Sequence, residues 1–233
     1  MSTLQSSVTS GLNFLTSLQS DHAGWYWEVS DPNHADHRIW PQSQHLLYLT
    51  FKRFGKLDLA SQIYYANDFR VAAEDRNITA CSRFCVLDND PSLFYLAGSQ
   101  TSNNYDEAAL IGHYWSLVGN NTIAVNLANS LKSQWNPKFG VLGMDQGDRL
   151  ANLFRVYKTA LAGTLFARVG SPLISDCQST AAKLQSLQDS SGGWITDLDT
   201  SGNPNGVPNI ETTCLALICL DCAAKGRFTP IIS

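Results

Sequence analysis

Four of the five histidines, His22, His34, His37 and His45, fall within a single stretch that also carries Glu28, Asp31 and Asp36, with Trp25, Tyr26, Trp27 and Trp40 between them. Carboxyls and imidazoles at this density are the materials of acid–base chemistry. A carboxyl held protonated gives a proton, an ionised one accepts a proton or attacks, and indole faces hold flat apolar surfaces. A second acidic pair, Asp145 and Asp148, follows the glycine-punctuated loop Gly140–Gly147. Candidate catalytic groups are therefore Glu28, Asp31, Asp36, His37, Asp145 and Asp148. Trp27, Trp40 and Trp135 are candidate platforms for a substrate, and Gln42 and Asn136 are candidate amides for its hydroxyls. One carboxylate from each loop, Asp36 and Asp145, would face the other across a bound sugar. Two like charges in a partly dry cleft raise one pKa and so create the acid. His34, Asp36 and His37 have metal-ligand types but no recognised ligand spacing, so no cofactor is expected, with a metal held by these three as the alternative.

Composition narrows the partners. The chain has 233 residues, 44% hydrophobic and 15% charged, with 16 Lys+Arg against 20 Asp+Glu. That is enough apolar material for a sizeable core and argues against wholesale disorder. The net charge of −4 disfavours a nucleic-acid binder, which needs a basic face. Acidic residues in the long loops outnumber basic ones, which disfavours polyanions and diphosphates. The first basic residue is Arg38, so no charged leader is visible, and the apolar run Leu215–Leu220 is too short for a membrane span. Localisation stays open between a cytoplasmic protein and a secreted one with its leader removed, as does oligomeric state. Cys214, Cys219 and Cys222 read as core, and Cys219-x-x-Cys222 lacks the second ligand pair of a zinc site. Cys81 and Cys85 share a helical face, which leaves a disulfide between them open. The sequons at Asn77 and Asn120 carry little weight.

The positioning elements are helices. Leu4, Val8, Leu12, Leu15 and Leu18 form one stripe, Ile123, Leu127 and Leu131 another, and Leu150, Leu153, Phe154, Tyr157, Leu161 and Leu165 a third. Ile174, Cys177, Ala181, Leu184 and Leu187 follow a start signal, Ser171 as cap and Pro172 at the first helical position. Asn104 and Glu107 have capping-box spacing. Ile210–Ala224 is apolar nearly all round, the mark of a buried helix. No alternating strand pattern competes, and the expected class is all-α over 1–233.

A repeat runs through these helices. Leu18-Gln19 is followed by Gly24-Trp25, Leu187-Gln188 by Gly193-Trp194, and a looser copy runs Leu131, Gln134, Phe139-Gly140. The spacing implies a unit of about 56 residues, four units in the chain, with a missing copy near Asp75. Short joins near Gly55, Gly119 and Gly170 alternate with long loops from about Ser20 to His37, Trp135 to Gln146 and Asp189 to Pro208. All long loops then fall at one end, where function belongs.

The blocks Gln188-Asp-Ser-Ser-Gly-Gly-Trp194 with Glu211-Thr-Thr213, and Gln19 with Gly24-Trp25, resemble the Gln…Gly-x-Trp repeat of the terpenoid cyclases and protein prenyltransferases. The resemblance implies an α/α toroid of helical hairpins, which four hairpins would leave small or incompletely closed. Prenyltransferases would imply zinc held by Asp, Cys and His, but no Asp-x-Cys is present. Protonating cyclases carry Asp-x-Asp-Asp, and the nearest strings, Asp197-Leu-Asp199-Thr200 and Asp88-Asn-Asp90-Pro91, lack the last Asp. Toroids also house carbohydrate-active enzymes. The leading expectation is a glycoside hydrolase acting on a neutral or weakly charged glycan. A polysaccharide lyase or epimerase, a terpenoid-cyclase-like enzyme, and a non-catalytic glycan- or protein-binding module stand as alternatives.

Overall fold

A computed structural model describes residues 3–67, 83–92 and 94–229. Its helices are α1 (Thr3–Ser17), α2 (Pro41–Arg53), α3 (Leu57–Asn67), α4 (Tyr105–Leu117), α5 (Asn121–Ser133), α6 (Gln146–Ala151), α7 (Val156–Val169), α8 (Ile174–Ser186) and α9 (Ile210–Lys225), with a 3-10 turn at Cys85–Asp88. The missing repeat copy near Asp75, the Asn77 sequon and Cys81 lie outside the described residues.

Sequence pattern sorts these helices into two layers. α1, α5 and α8 each bury one stripe: Val8, Phe14 and Leu15; Ala124, Leu127 and Leu131; Cys177, Ala181 and Leu184. α7 and α9 are buried nearly all round, and α2 and α4 over most of their length. A helix without a polar stripe has to be surrounded by other elements, so these four form the interior. They neighbour one another in the order α4, α7, α9, α2, with α5 and α8 packed on α7, α1 on α9 and α3 on α2. The joins α2–α3, α4–α5 and α7–α8 are short, and the long connections all run from an outer helix to an inner one. Cys177, Cys214, Cys219 and Cys222 are free thiols in this core, and Cys85 is buried too. No helix among the described residues is long and apolar enough to cross a membrane.

The all-α expectation needs correction, because the long connections carry two small antiparallel sheets. β1 (Trp135–Asn136) pairs with β2 (Val141–Leu142), with Trp135 opposite Leu142. β3 (Leu153–Arg155), β4 (Ile195–Asp199) and β5 (Pro204–Pro208) form the other sheet in that order, with Phe154 opposite Leu198 and Arg155 opposite Asp197. The stripe expected to run unbroken from Leu150 to Leu165 is cut: α6 ends at Asn152 in the left-handed region (φ 56°), and β3 intervenes before α7. Two expected helix starts also differ. Asn104 precedes α4 but makes no side-chain cap, and Glu107 instead accepts from the Ser102 hydroxyl at 2.6 Å. α8 begins at Ile174, after a cis Ser171–Pro172 peptide.

The turns that follow α1 and α8 match one another, but their register is shifted by one residue from the one expected. Gln19 bridges Tyr26, and Gln188 bridges Trp194. Ser20 N–H donates to Trp25 O at 2.8 Å where Asp189 N–H donates to Gly193 O at 2.9 Å. Trp194 thus corresponds to Tyr26, and both are fully buried, while Trp25 is only half-buried and matches Gly193. Gly24 and Gly192 are the matching glycines. Both have positive φ, 83° and 95°, and both lie flat against the next outer helix: an added Cβ would sit 2.3 Å from Gln62 O or 2.5 Å from Ser10 O. The turn therefore needs glycine for its conformation and for its clearance. Gln188 fastens the unit by donating through Nε2 to Ser7 O on α1 and to Gly192 O, each at 2.8 Å.

Candidate active site

The starts of the inner helices converge at the long-loop end, and three of the four, α4, α7 and α9, bring a charged side chain. Asp106 enters from α4, Tyr157 and Lys158 from α7, and Glu211 from α9. Arg83 comes from the segment ahead of the 3-10 turn, and Glu28 from the α1–α2 connection. The backbone at residue 28 is itself fixed: Glu28 N–H donates to Arg38 O at 2.8 Å, and Ile210 N–H donates to Glu28 O at 3.0 Å. The Glu211 N–H donates to Glu28 Oε1 at 3.2 Å, so Glu28 occupies the first turn of α9 from outside the helix. The donor end of a helix favours an ionised carboxylate, so this bond pulls the Glu28 pKa down against the rise from burial.

Glu28 is only 5% exposed, and its Oε2 has no hydrogen-bond partner among the described residues. Burial pushes its pKa up to about 7; Ser43 pulls the other way, and the charges of Glu211 and Asp36 add to the rise. Glu211 is also raised by burial, opposed by Arg83 and assisted by Asp106, and its Oε1 is shut off from solvent without a hydrogen bond. Arg83 stands between the two inner carboxylates. Its Nη2 lies 2.5 Å from Asp106 Oδ2 and 3.9 Å from Glu211 Oε1, and its buried Nε has no hydrogen-bond partner among the described residues.

Beside this group sits a more fully satisfied one. Lys158 Nζ donates to Asp145 Oδ2 at 2.6 Å and to both Asp148 oxygens at 2.9 Å, and lies 4.0 Å from Asp106 Oδ1. Asp145 and Asp148 form the capping box of α6, and Asp145 also accepts from Tyr105 N–H at 3.1 Å. Burial would raise Asp145, but the Lys158 ammonium and two backbone N–H groups outweigh it and hold its pKa low. At Asp148 burial prevails over the same ammonium, and the pKa is raised. Arg155 joins Asp148 to Asp197 across the β3–β4 pair, at 3.3 and 2.8 Å. Tyr157 and Tyr95 border the carboxyls: burial raises both phenols, and Asp106 raises them further. Six carboxyl groups face three cations here, an imbalance that adds to burial in raising Glu28, Glu211 and Asp148.

The other expected residues are dispersed. Asp31 is exposed and accepts from Asn33 N–H at 2.9 Å. Asp36 is exposed, 4.0 Å from His34 Nδ1. His37 stacks on Trp27 with ring centroids 4.4 Å apart, and its Nδ1 lies 2.9 Å from Val29 O. Trp40 precedes α2, with the Arg38 guanidinium 5.7 Å from its ring, and Gln42 is half-buried in the first turn of α2. Trp135 packs on Phe166 in a groove of about 180 Å³ between outer helices, and Asn136 Oδ1 binds the Lys138 and Phe139 N–H groups of its own turn. Among the described residues no three His, Cys, Asp or Glu side chains are placed to hold a metal ion. The Asp197-Leu-Asp199 string is held in local contacts: Asp197 pairs with Arg155, and Asp199 accepts from the Ser201 and Asn203 N–H groups of the β4–β5 turn.

Sequence reading placed Glu28, Asp145 and Asp148 among the site residues but passed over Lys158, Tyr157 and Arg155. The available signal was Lys158 itself, a lysine two positions into an otherwise apolar buried helix, which requires carboxylate partners.

No protein-family model matches the chain, and no curated protein matches it. Among solved structures it is similar to a variant of the type II terpene cyclase MstE from Scytonema, in complex with the substrate geranylgeranyl dihydroxybenzoate. The identity is 10%, the match covers 99% of this chain and 98% of that one, and the TM-score is 0.35. A likeness at that score does not by itself assign a fold or an activity.

Proposed function

We propose that the chain is a Brønsted-acid enzyme of terpenoid-cyclase type, with Glu28 as proton donor to a carbon–carbon double bond or epoxide of a lipophilic, non-phosphorylated substrate. The observation that carries this reading is the buried Glu28 carboxyl, with a pKa pushed up to about 7 and an unbonded Oε2. Such a group is about half protonated near pH 7, so at neutral pH it can both give up a proton and take one back. In the step, the Glu28 O–H bond breaks, the substrate's π pair or epoxide oxygen takes the proton, and positive charge develops on the adjacent carbon. A surround with more carboxyls than cations, bordered by the Tyr95 and Tyr157 rings, favours that charge. Loss of a proton from a neighbouring carbon completes the reaction. The Gln…Gly-aromatic turns support the same reading, since they match the repeat that terpenoid cyclases carry.

The glycoside-hydrolase reading calls for indole platforms and free amides beside the acid. Trp27 is stacked on His37; Trp40 faces the Arg38 guanidinium; Trp135 lies in the outer groove; and Asn136 is spent on its turn. The test carries both readings. Purified protein is incubated in D2O with linear isoprenols, their terminal epoxides and, separately, neutral oligosaccharides. Cyclised product with deuterium at the protonated carbon is expected for the isoprenoid arm. Glu28→Gln should lower that rate by roughly 10²–10⁴-fold, the range for loss of a general acid. Release of reducing ends without cyclised product would overturn the cyclase reading.

A further inference from the structure

We infer a second ligand site on the outer side of the same end, for a small polyhydroxylated carboxylate such as a sugar acid; it goes beyond the acid chemistry at Glu28 and does not depend on it. The site is a cavity of about 340 Å³ between the 101–105 segment, the last turn of α5 and the start of α6. That volume suits a small molecule. Its lining is hydroxyl, amide and charged groups, with Asn103, Ser130, Gln146 and Arg149 around it and Asp145 at its base.

Two features select the ligand. The first is the state of the base. Asp145 is 2% exposed and its Oδ2 is taken up by Lys158 Nζ at 2.6 Å and by Tyr105 N–H, so that oxygen offers the cavity no free acceptor. The second is Arg149, which is exposed and tethered through Nε to Met144 O at 3.2 Å. Its terminal nitrogens make no hydrogen bond among the described residues, which leaves a planar pair of donors suited to a carboxylate. The Tyr105 hydroxyl is held by Gln134 Oε1 at 3.1 Å, which fixes one wall. Asn103, Ser130 and Gln146 then present donors and acceptors of the kind that sugar hydroxyls satisfy.

The test is a titration of isotopically labelled protein, followed by amide chemical shifts, with D-gluconate, D-glucose and acetate as separate probes. Saturable gluconate shifts confined to residues 101–105, 130–134 and 145–149 are expected, with weaker binding of glucose and of acetate. Arg149→Gln should weaken gluconate binding about tenfold or more, the effect of losing a charge-assisted pair. Asn103→Ala, a second exposed substitution, should weaken gluconate without changing acetate. Absence of saturable gluconate shifts overturns the proposal. So does equal binding of acetate, which would mark a non-specific anion contact, or unchanged gluconate affinity in a folded Arg149→Gln protein.

Discussion

At the scale of single residues the account rests on where carboxyls keep their protons. Glu28 is raised by burial to about 7 from an ordinary 4.5, so the folded state binds its proton more tightly than the unfolded chain. Stability from this group is full below the unfolded value and falls as pH rises between about 4.5 and 7, flattening above. Glu211 and Asp148, both raised, tilt the curve the same way, and Asp145, held low, opposes it. Urea unfolding at a series of pH values should show this decline, and Glu28→Gln should remove up to about 3 kcal/mol of it. A pH curve unaltered by the substitution would mean that Glu28 titrates normally. Lys158 supplies a second residue-scale prediction. Its removal strands Asp145 and Asp148 without their cation, so Lys158→Met should cost about 3–5 kcal/mol, measured by the same unfolding experiment.

At the scale of elements, the helices and the alternation of short and long joins were legible, because apolar spacing and glycine punctuation report them directly. What the sequence hid was the register of the repeat. Gly24-Trp25 and Gly193-Trp194 look equivalent, yet the first turn is one residue longer, so Tyr26 takes the buried place of Trp194. Identity of residue type concealed a difference of loop length. The small sheets escaped notice for a related reason: strands of two to five residues inside long loops are too short to display a period. The shift yields a direct comparison. Tyr26→Ala should destabilise by about 3–5 kcal/mol and Trp25→Ala by clearly less, since the loss scales with how far a side chain is buried. The reverse ranking in thermal or urea unfolding would restore the register read from sequence. Gly192→Ala should also destabilise, because the added methyl would sit 2.5 Å from Ser10 O.

At the scale of the molecule the two ends divide the work. The short-loop end is closed by packing: Phe228 lies 3.8 Å from the Arg168 guanidinium carbon and 5.2 Å from that of Arg53, and its N–H donates to Ala167 O at 3.1 Å. Phe228→Ala should therefore cost about 1–3 kcal/mol in unfolding experiments, with the acid site unaffected. The long-loop end gathers charge, and here the sequence was only partly legible. An excess of loop carboxylates pointed to this end as the place of a candidate site. Pairing decides each role, and pairing is set by contacts between distant segments: Glu28 with the start of α9, Arg83 with Asp106, and Lys158 with the α6 cap. Asp36 and Asp145 looked like partners because both enter helices at this end, but Asp36 is exposed and Asp145 is bound to an ammonium. The central claim is that Glu28 is an acid poised near physiological pH. The most direct measurement is a carbon-13 titration of the Glu28 side-chain carboxyl in the intact protein, repeated in Glu211→Gln. The account predicts a midpoint near 7 that moves down when the neighbouring charge is removed; a midpoint near the ordinary glutamate value, unmoved in the variant, would contradict it.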